Sequence, residues 1–327
     1  MNTLTQSGVV RISRQGPPSV LEFTTEQVAL PVANEVLVKQ EAIAVNFVDV
    51  LFRNGSFSLP QLPATIGVEA AGVVEAAGEG AADWQVGDRV AYFFSPGAYA
   101  EKRLVNGKNL VKLPDDISFD VAASLLAKGL TARMLVKDAY AVQPGDVVLV
   151  HAAAGGVGSL VSRWAKALGA TVIGTVGNAA KKARAAALGI DAVLALDQED
   201  MVMGVNAFTG GKGVQAVFDG VGKATFGSSV ELLKQGGTVV LYGAASGEPE
   251  IDAALLASRQ IQLLRPALMQ YLPGKQQVNA AIDELFGAFR SGVLGKAEAT
   301  AYPLAQAAKA HLDLESGHTT GSLILRP

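Results

Sequence analysis

The chain has 327 residues, long for a single core and suited to two domains. Half of them are hydrophobic, 17% are charged and the formal net charge is −3, which argues against a nucleic-acid binder working through a broad basic face. Cysteine is absent, and with it disulfides, thiolate nucleophiles, iron–sulfur clusters and cysteine-ligated zinc.

The first eighteen residues, MNTLTQSGVVRISRQGPP, lack the apolar core of a signal peptide, and no stretch approaches the length of a membrane span. A soluble cytoplasmic protein is expected. VVRIS (9–13) and EVLVKQEAIAV (35–45) read as strands, as do IGVEAAGVVEAAG (66–78), VGDRVAYF (86–93) and GAYAEKRLV (97–105). Short strands punctuated by Gly and Pro predict a β-rich, barrel-like domain. FDVAASLLAKGLTARMLV (119–136) is helical in period, with Ser118 or Asp120 as its cap.

From there strands and helices alternate. DVVLVHAA (146–153), TVIGTV (171–176), AVLAL (192–196), VQAVFDG (214–220) and GTVVLYG (237–243) are strands. VGSLVSRWAKALG (157–169) and AAKKARAAALG (179–189) are helices closed by Gly169 and Gly189. This rhythm predicts an α/β fold, a doubly wound parallel Rossmann sheet. Two further helices, 276–294 and 302–316, and a closing strand, GSLILRP, are expected to return to the β-rich domain. The domain boundaries are placed at 1–125 with 266–327, and 126–265.

HAAAGGVG (151–158) follows a buried strand and opens a helix. It spells A-x-G-x-x-G, a variant of the dinucleotide fingerprint with Ala153 in place of the first glycine. Gly155 would let the backbone approach a pyrophosphate, and Gly158 would let the helix pack against the strand. His151 is read as a structural, hydrogen-bonded residue rather than an acid catalyst. An NAD site would place a carboxylate on the ribose about 20 residues further on, yet none occurs before Asp191. Thr175, Gly177 and Asn178 leave room for a phosphate there, and Lys181, Lys182 and Arg184 supply charge. One charged hydrogen bond to phosphate contributes roughly 1.5–3 kcal/mol, so NADPH is the expected cofactor.

NFVDVLFRNGSF (46–57), IGVEAAGVVEAAGEG (66–80), LVKLPDDISFDVAASLLAKGLTA (110–132), HAAAGGVG, TGGKGVQAVFDGVG (209–222) and LLRPALMQY (263–271) occur in one order along the chain. In these segments it resembles the zinc-independent medium-chain dehydrogenase/reductases, specifically the ζ-crystallin-like NADPH:quinone oxidoreductases. The resemblance implies a GroES-like substrate domain split around the Rossmann domain. It also implies a homodimer paired through a Rossmann edge strand, for which IQLL (261–264) is the candidate.

In the zinc-dependent branch of the superfamily, the metal ligands correspond to Asn46, Val68 and Ala127 here. None of these suits zinc. Without a metal to polarise a simple carbonyl, the substrate must accept hydride readily, as quinones and conjugated enones do. The resemblance therefore implies NADPH-dependent quinone reduction by hydride or electron transfer, without zinc. Two alternatives stay open: an NADPH-dependent reductase of 2-alkenals or enones, and a low-turnover NADPH-binding protein with a structural or RNA-binding role. No nucleic-acid or membrane partner is expected.

Carried over residue by residue, the resemblance sets Asn46, Phe47, Asp49, Val50 and Thr131 beside the nicotinamide half of the cofactor, with Asn46 the candidate catalytic group. Gly155, Gly156 and Val157 meet the pyrophosphate. Gly177, Lys181 and His318 surround the adenosine 2′-phosphate. Gly220, Tyr242, Gly243, Ala244 and Ala245 follow two strands beside the cofactor. Arg265, Pro266 and Leu268 close over the nicotinamide amide. Leu51, Phe57 and Tyr242 line the substrate pocket. Relatives often carry tyrosine where Phe57 and Leu196 stand, and arginine where Gly317 stands. The pocket is thus more apolar and the phosphate side weaker than the family pattern.

Overall fold

The computed structural model describes residues 5–317, 319 and 321–327. In chain order the elements begin with β1 (Thr5–Ile12), β2 (Glu22–Val28), β3 (Glu35–Val45), α1 (Phe47–Asn54), β4 (Ala64–Thr65), β5 (Ala70–Ala77), β6 (Arg89–Tyr92), β7 (Lys102–Asn106), β8 (Val111–Lys112) and α2 (Phe119–Arg133). There follow β9 (Val147–Val150), α3 (Gly156–Ala167), β10 (Thr171–Val176), α4 (Lys182–Ala186), β11 (Ala192–Ala195), α5 (Met201–Thr209), β12 (Val214–Asp219), α6 (Phe226–Leu232) and β13 (Leu233–Leu241). The last are α7 (Ala253–Ser258), β14 (Gln262–Leu264), α8 (Leu268–Tyr271), α9 (Lys275–Arg290), β15 (Ala299–Pro303), α10 (Ala307–Glu315) and β16 (Ser322–Arg326).

Two units result. The first joins Met1–Ala127 with Ala297–Pro327. Its larger sheet runs β15-β16-β3-β5-β6-β8, with β7 also paired to β3, and a smaller sheet runs β2-β1-β4. Both faces of β3 are apolar, and Val36, Val38, Ile43 and Val45 enter the core with Ile12, Ile66, Tyr92 and Tyr99. The chain end closes this unit because Leu323–Leu325 pair antiparallel with Ile43–Val45.

The second unit is Lys128–Lys296. Its six strands are all parallel, in the order β11-β10-β9-β12-β13-β14. Counted from the first strand of the unit this is 3-2-1-4-5-6, the order of a dinucleotide-binding sheet. Every strand therefore ends at the same edge, and the loops that follow them gather there. Among the described residues no helix is long and apolar enough to cross a membrane.

Three expectations need correction. The second domain boundary falls between Lys296 and Ala297, not after residue 265. The helix expected at 276–294 is α9, which stays with the parallel sheet: a Cβ added at Gly129 would lie 2.4 Å from Leu285 Cδ1, so this glycine is where α2 receives α9. The helix expected from residue 302 starts at Ala307, because residues 299–303 form β15 beside β16. The cap of α2 is Ser118, whose hydroxyl accepts the Val121 N–H at 3.2 Å.

Candidate functional site

The turn from β9 into α3 is built for close approach. Ala152 adopts a left-handed φ of 50°, a conformation costly for a residue with a Cβ. Its carbonyl accepts the Gly155 N–H at 2.8 Å, and that turn releases the chain into α3. A Cβ at Gly158 would meet Ala152 O at 2.4 Å and His151 O at 3.0 Å, both fixed backbone. Gly158 is thus what seats α3 against the strand end. The missing first glycine is replaced by space elsewhere: a Cβ on Gly174 of β10 would lie 2.7 Å from the Ala153 methyl. Gly174 gives up the volume that Ala153 takes.

At the start of α3 the amides of Gly156, Val157 and Gly158 have no carbonyl one turn back to bond, and they carry the positive end of the helix dipole. The Lys128 stem crosses this point, 2.9 Å from where a Gly156 Cβ would be. Sequence reasoning missed Lys128, although its place just before the G-L-T run was visible.

After β10, a Cβ on Gly177 would meet nothing within 4 Å, so the backbone is open to a ligand. Lys182 is held by Glu199 at 2.7 Å. Lys181, by contrast, makes no ion pair among the described residues, and partial burial pulls its ammonium below the usual lysine range. A half-buried cation without a counter-ion beside open backbone suits a phosphate. Leu196, where relatives often carry tyrosine, packs on the core of this unit. Gly317 has φ 69° directly after α10, a helix-closing conformation that an arginine would strain. His318 lies outside the described residues.

After β12 and β13 the chain is again glycine-dependent. A Cβ on Gly220 would collide with the Tyr242 ring at 2.7 Å, and one on Gly243 with Gly220 O at 2.8 Å. The Tyr242 phenol has no hydrogen-bond partner among the described residues, and burial, reinforced by the Asp219 charge, pushes its pKa up. It remains a neutral donor at the strand ends. Ala244 is half-buried and Ala245 exposed. Arg265 is exposed and ion-paired with Glu248, and Pro266 is half-buried. Leu268, expected against the nicotinamide, is buried at the start of α8. Thr131 is half-buried on α2.

In the first unit, α1 carries the expected substrate-side residues. Asn46 precedes the helix, and its backbone N–H donates to Asp49 Oδ2 at 2.8 Å. Its side-chain Nδ2 donates to Glu69 Oε2 at 2.8 Å, while Glu69 Oε1 accepts the Ala127 N–H at 2.7 Å. The Asn46 amide is thereby oriented, with Oδ1 turned away from Glu69. Of the residues expected beside the nicotinamide, Asp49 and Val50 have buried side chains: Asp49 caps α1 and accepts from Tyr99 Oη at 3.2 Å, and Val50 packs inward. Phe47 and Phe57 are exposed and Leu51 is half-buried, so α1 and the turn after it present an apolar surface. Phe57 stacks edge-on against Phe52 at 5.6 Å.

Arg53 is buried and forms a two-pronged pair with Glu315, at 2.6 and 2.7 Å, tying α1 to α10. Glu69 escaped sequence reasoning, although a lone carboxylate inside the apolar run IGVEAAGVV was a signal that it is buried and bonded.

The three positions that would hold catalytic zinc are thus an amide already committed to Glu69, a buried valine and a backbone N–H. They offer no tetrahedral set of thiolate, imidazole or carboxylate. Among the described residues no three His, Cys, Asp or Glu side chains gather as a metal site.

Residues 32–115 match the family model of the alcohol dehydrogenase GroES-like domain, and residues 156–286 that of the zinc-binding dehydrogenases. The chain is 41% identical over 323 residues to the quinone oxidoreductase of Salmonella typhimurium, spanning 97% of this chain and 99% of that one. It also matches the solved structure of a Pseudomonas syringae quinone oxidoreductase, with a TM-score of 0.94 at 42% identity over 98% of this chain and 100% of the other. An Escherichia coli quinone oxidoreductase complexed with NADPH matches with a TM-score of 0.94 at 37% identity and the same coverage. The chain belongs to the zinc-independent quinone oxidoreductase family. Its GroES-like and Rossmann parts are those of the wider dehydrogenase superfamily.

Proposed function

We propose that this chain is an NADPH:quinone oxidoreductase that works without a metal, converting a quinone, NADPH and a proton into hydroquinone and NADP+. The observation that carries the reading is a 3-2-1-4-5-6 parallel sheet whose first turn is glycine-cleared for a pyrophosphate, in a chain whose zinc positions are Asn46, Val68 and Ala127. The activity named for its relatives agrees with it. When bound, NADPH supplies a hydride from the nicotinamide.

The chain's own residues do the rest. Gly155, Gly156 and Val157 meet the pyrophosphate, and Gly177 with Lys181 meets the 2′-phosphate. Gly220, Tyr242 and Gly243–Ala245 flank the cofactor at the strand ends, and Arg265 and Pro266 follow β14 at the same edge. Asn46 offers an oriented amide oxygen. Leu51, Phe47 and Phe57 supply an apolar surface suited to a flat aromatic substrate. The unit Lys128–Lys296 holds the cofactor.

Two copies pair through β14, an edge strand bonded on one side to β13. The working site is the cytoplasm. Steady-state NADPH oxidation with 1,4-benzoquinone, 9,10-phenanthrenequinone and a 2-alkenal tests the proposal. Turnover should require a quinone. Turnover with the alkenal alone would replace quinone reduction with alkene reduction, and NADPH binding without turnover would remove the enzymatic reading.

A further inference from the structure

A polar cluster lies under the strand ends of the parallel sheet, and none of the steps above uses it. His151 follows β9 and is wholly buried, as are Ser229 and Asp219. Its Nδ1 is 2.8 Å from Thr175 Oγ1 and its Nε2 is 2.8 Å from Ser229 Oγ. Ser229 has a single hydroxyl proton, which faces Asp219 Oδ2 at 3.0 Å and Thr225 O at 2.9 Å. Either acceptor takes that proton. The Ser229 oxygen must then accept from the ring, so Nε2 carries hydrogen. Burial pulls the His151 pKa below its ordinary value against the opposing pull of Asp219, which keeps the ring neutral. With the proton on Nε2, Nδ1 is then the lone-pair nitrogen and accepts from the Thr175 hydroxyl.

The residues joined in this way are not equivalent parts of the sheet. His151 opens the glycine loop. Thr175 stands two residues before Gly177. Asp219 immediately precedes Gly220, and it also gathers the Val221 and Gly222 N–H groups at 2.8 and 2.9 Å and the Thr225 hydroxyl. One ring therefore links the strand ends that lead to the pyrophosphate turn, the 2′-phosphate side and the Gly220 turn.

We infer that His151 is a positioning residue for dinucleotide binding: its neutral imidazole, held between Thr175 and Ser229, fixes the spacing of the three turns that the proposed function assigns to the cofactor. A dinucleotide presents its pyrophosphate and its 2′-phosphate at a set separation. Turns that drift relative to one another cannot meet both at once. The inference rests on the proposed cofactor site and adds the group that sets its dimensions.

The test is steady-state kinetics with NADPH, NADH and a quinone on purified His151→Leu, His151→Asn, Thr175→Val and Ser229→Ala chains. His151→Leu removes both links and should raise KM for NADPH about tenfold or more, with KM for the quinone within about twofold. In His151→Asn the amide oxygen stands near the former Nδ1 and keeps the Thr175 link, so the rise should be smaller. Thr175→Val frees the 2′-phosphate side from the pyrophosphate turn and should narrow the preference for NADPH over NADH. If His151→Leu does not fold, Thr175→Val and Ser229→Ala carry the test, because both keep the ring. Variants that melt earlier yet retain wild-type KM for NADPH and wild-type cofactor preference would overturn the inference and leave the cluster a structural one. Failure of the unsubstituted chain to bind NADPH would instead remove the proposed function, and the inference with it.

Discussion

Acid should destabilise the GroES-like unit through one histidine. His311 on α10 is buried, and its Nε2 lies 2.8 Å from Tyr99 Oη. Tyr99 directs its proton to Asp49, so His311 donates and its Nδ1 is left without a hydrogen bond. Burial, with the Arg53 charge second, holds its pKa down to about 3, against 6.5 for an ordinary histidine. The unfolded chain therefore takes up a proton as the pH falls through the ordinary value, while the folded chain stays neutral. The stability is present in full above the unfolded pKa and is lost progressively as the pH falls towards the folded one. Between about pH 7.5 and about pH 5 the loss from this group is about 2 kcal/mol, from 2.303RT per pH unit over roughly 1.5 units. His311→Gln keeps an N–H donor for Tyr99 and removes the titration. Of the chain's two tryptophans, Trp84 lies in the GroES-like unit and Trp164 in the other, so a Trp164→Phe background makes indole fluorescence report this unit alone. Urea unfolding at both pH values should show the parent losing about 2 kcal/mol more than His311→Gln. Parallel losses in the two proteins would refute the assignment.

Two further outcomes follow from the parallel-sheet unit. Gly158→Ala places a methyl 2.4 Å from Ala152 O, so α3 must shift outward by about 1 Å to reach ordinary contact. Calorimetry should show a lower melting temperature, and titration a loss of NADPH affinity; a chain that binds NADPH normally would contradict the close-packing role. Lys181→Met removes the unpaired cation and should raise KM for NADPH about 10- to 100-fold while leaving NADH unchanged. Equal losses for both cofactors would show that Lys181 does not face the 2′-phosphate.

The parallel-sheet unit was the more legible half of the sequence. Its strands are short apolar runs with glycine at their ends, and β10 falls where TVIGTV predicts it. The loop motif was placed between β9 and α3, because the strand before it and the helix after it were both readable. What stayed hidden was compensation through space: Gly174 yields to Ala153, and Gly220 to Tyr242, across neighbouring strands. Spacing along one segment carries no record of its neighbour. In the GroES-like unit β3 was legible to the residue, since EVLVKQEAIAV is a long, largely apolar run rich in β-branched residues. α1 was read only as a motif. Its signal was Asn46 with Asp49 three positions later, a capping arrangement at the head of an apolar stretch. That same arrangement explains why Asp49 is buried at the head of α1. α9 shows a different limit: periodicity revealed which face is apolar but not that Gly129 of α2 would receive Leu285. His151 and Asp219 looked like isolated polar residues at strand ends. Only the fold shows them to be hydrogen-bonded through Ser229.

Metal-free reduction of a quinone by NADPH is tested by following quinone-dependent NADPH oxidation after exhaustive treatment of the protein with a chelator, with bound zinc assayed in the same sample. Undiminished turnover in a zinc-free sample is the predicted result. Activity that disappears with the chelator and returns on adding zinc would overturn metal-free reduction, because Asn46, Val68 and Ala127 offer that metal no ligand set.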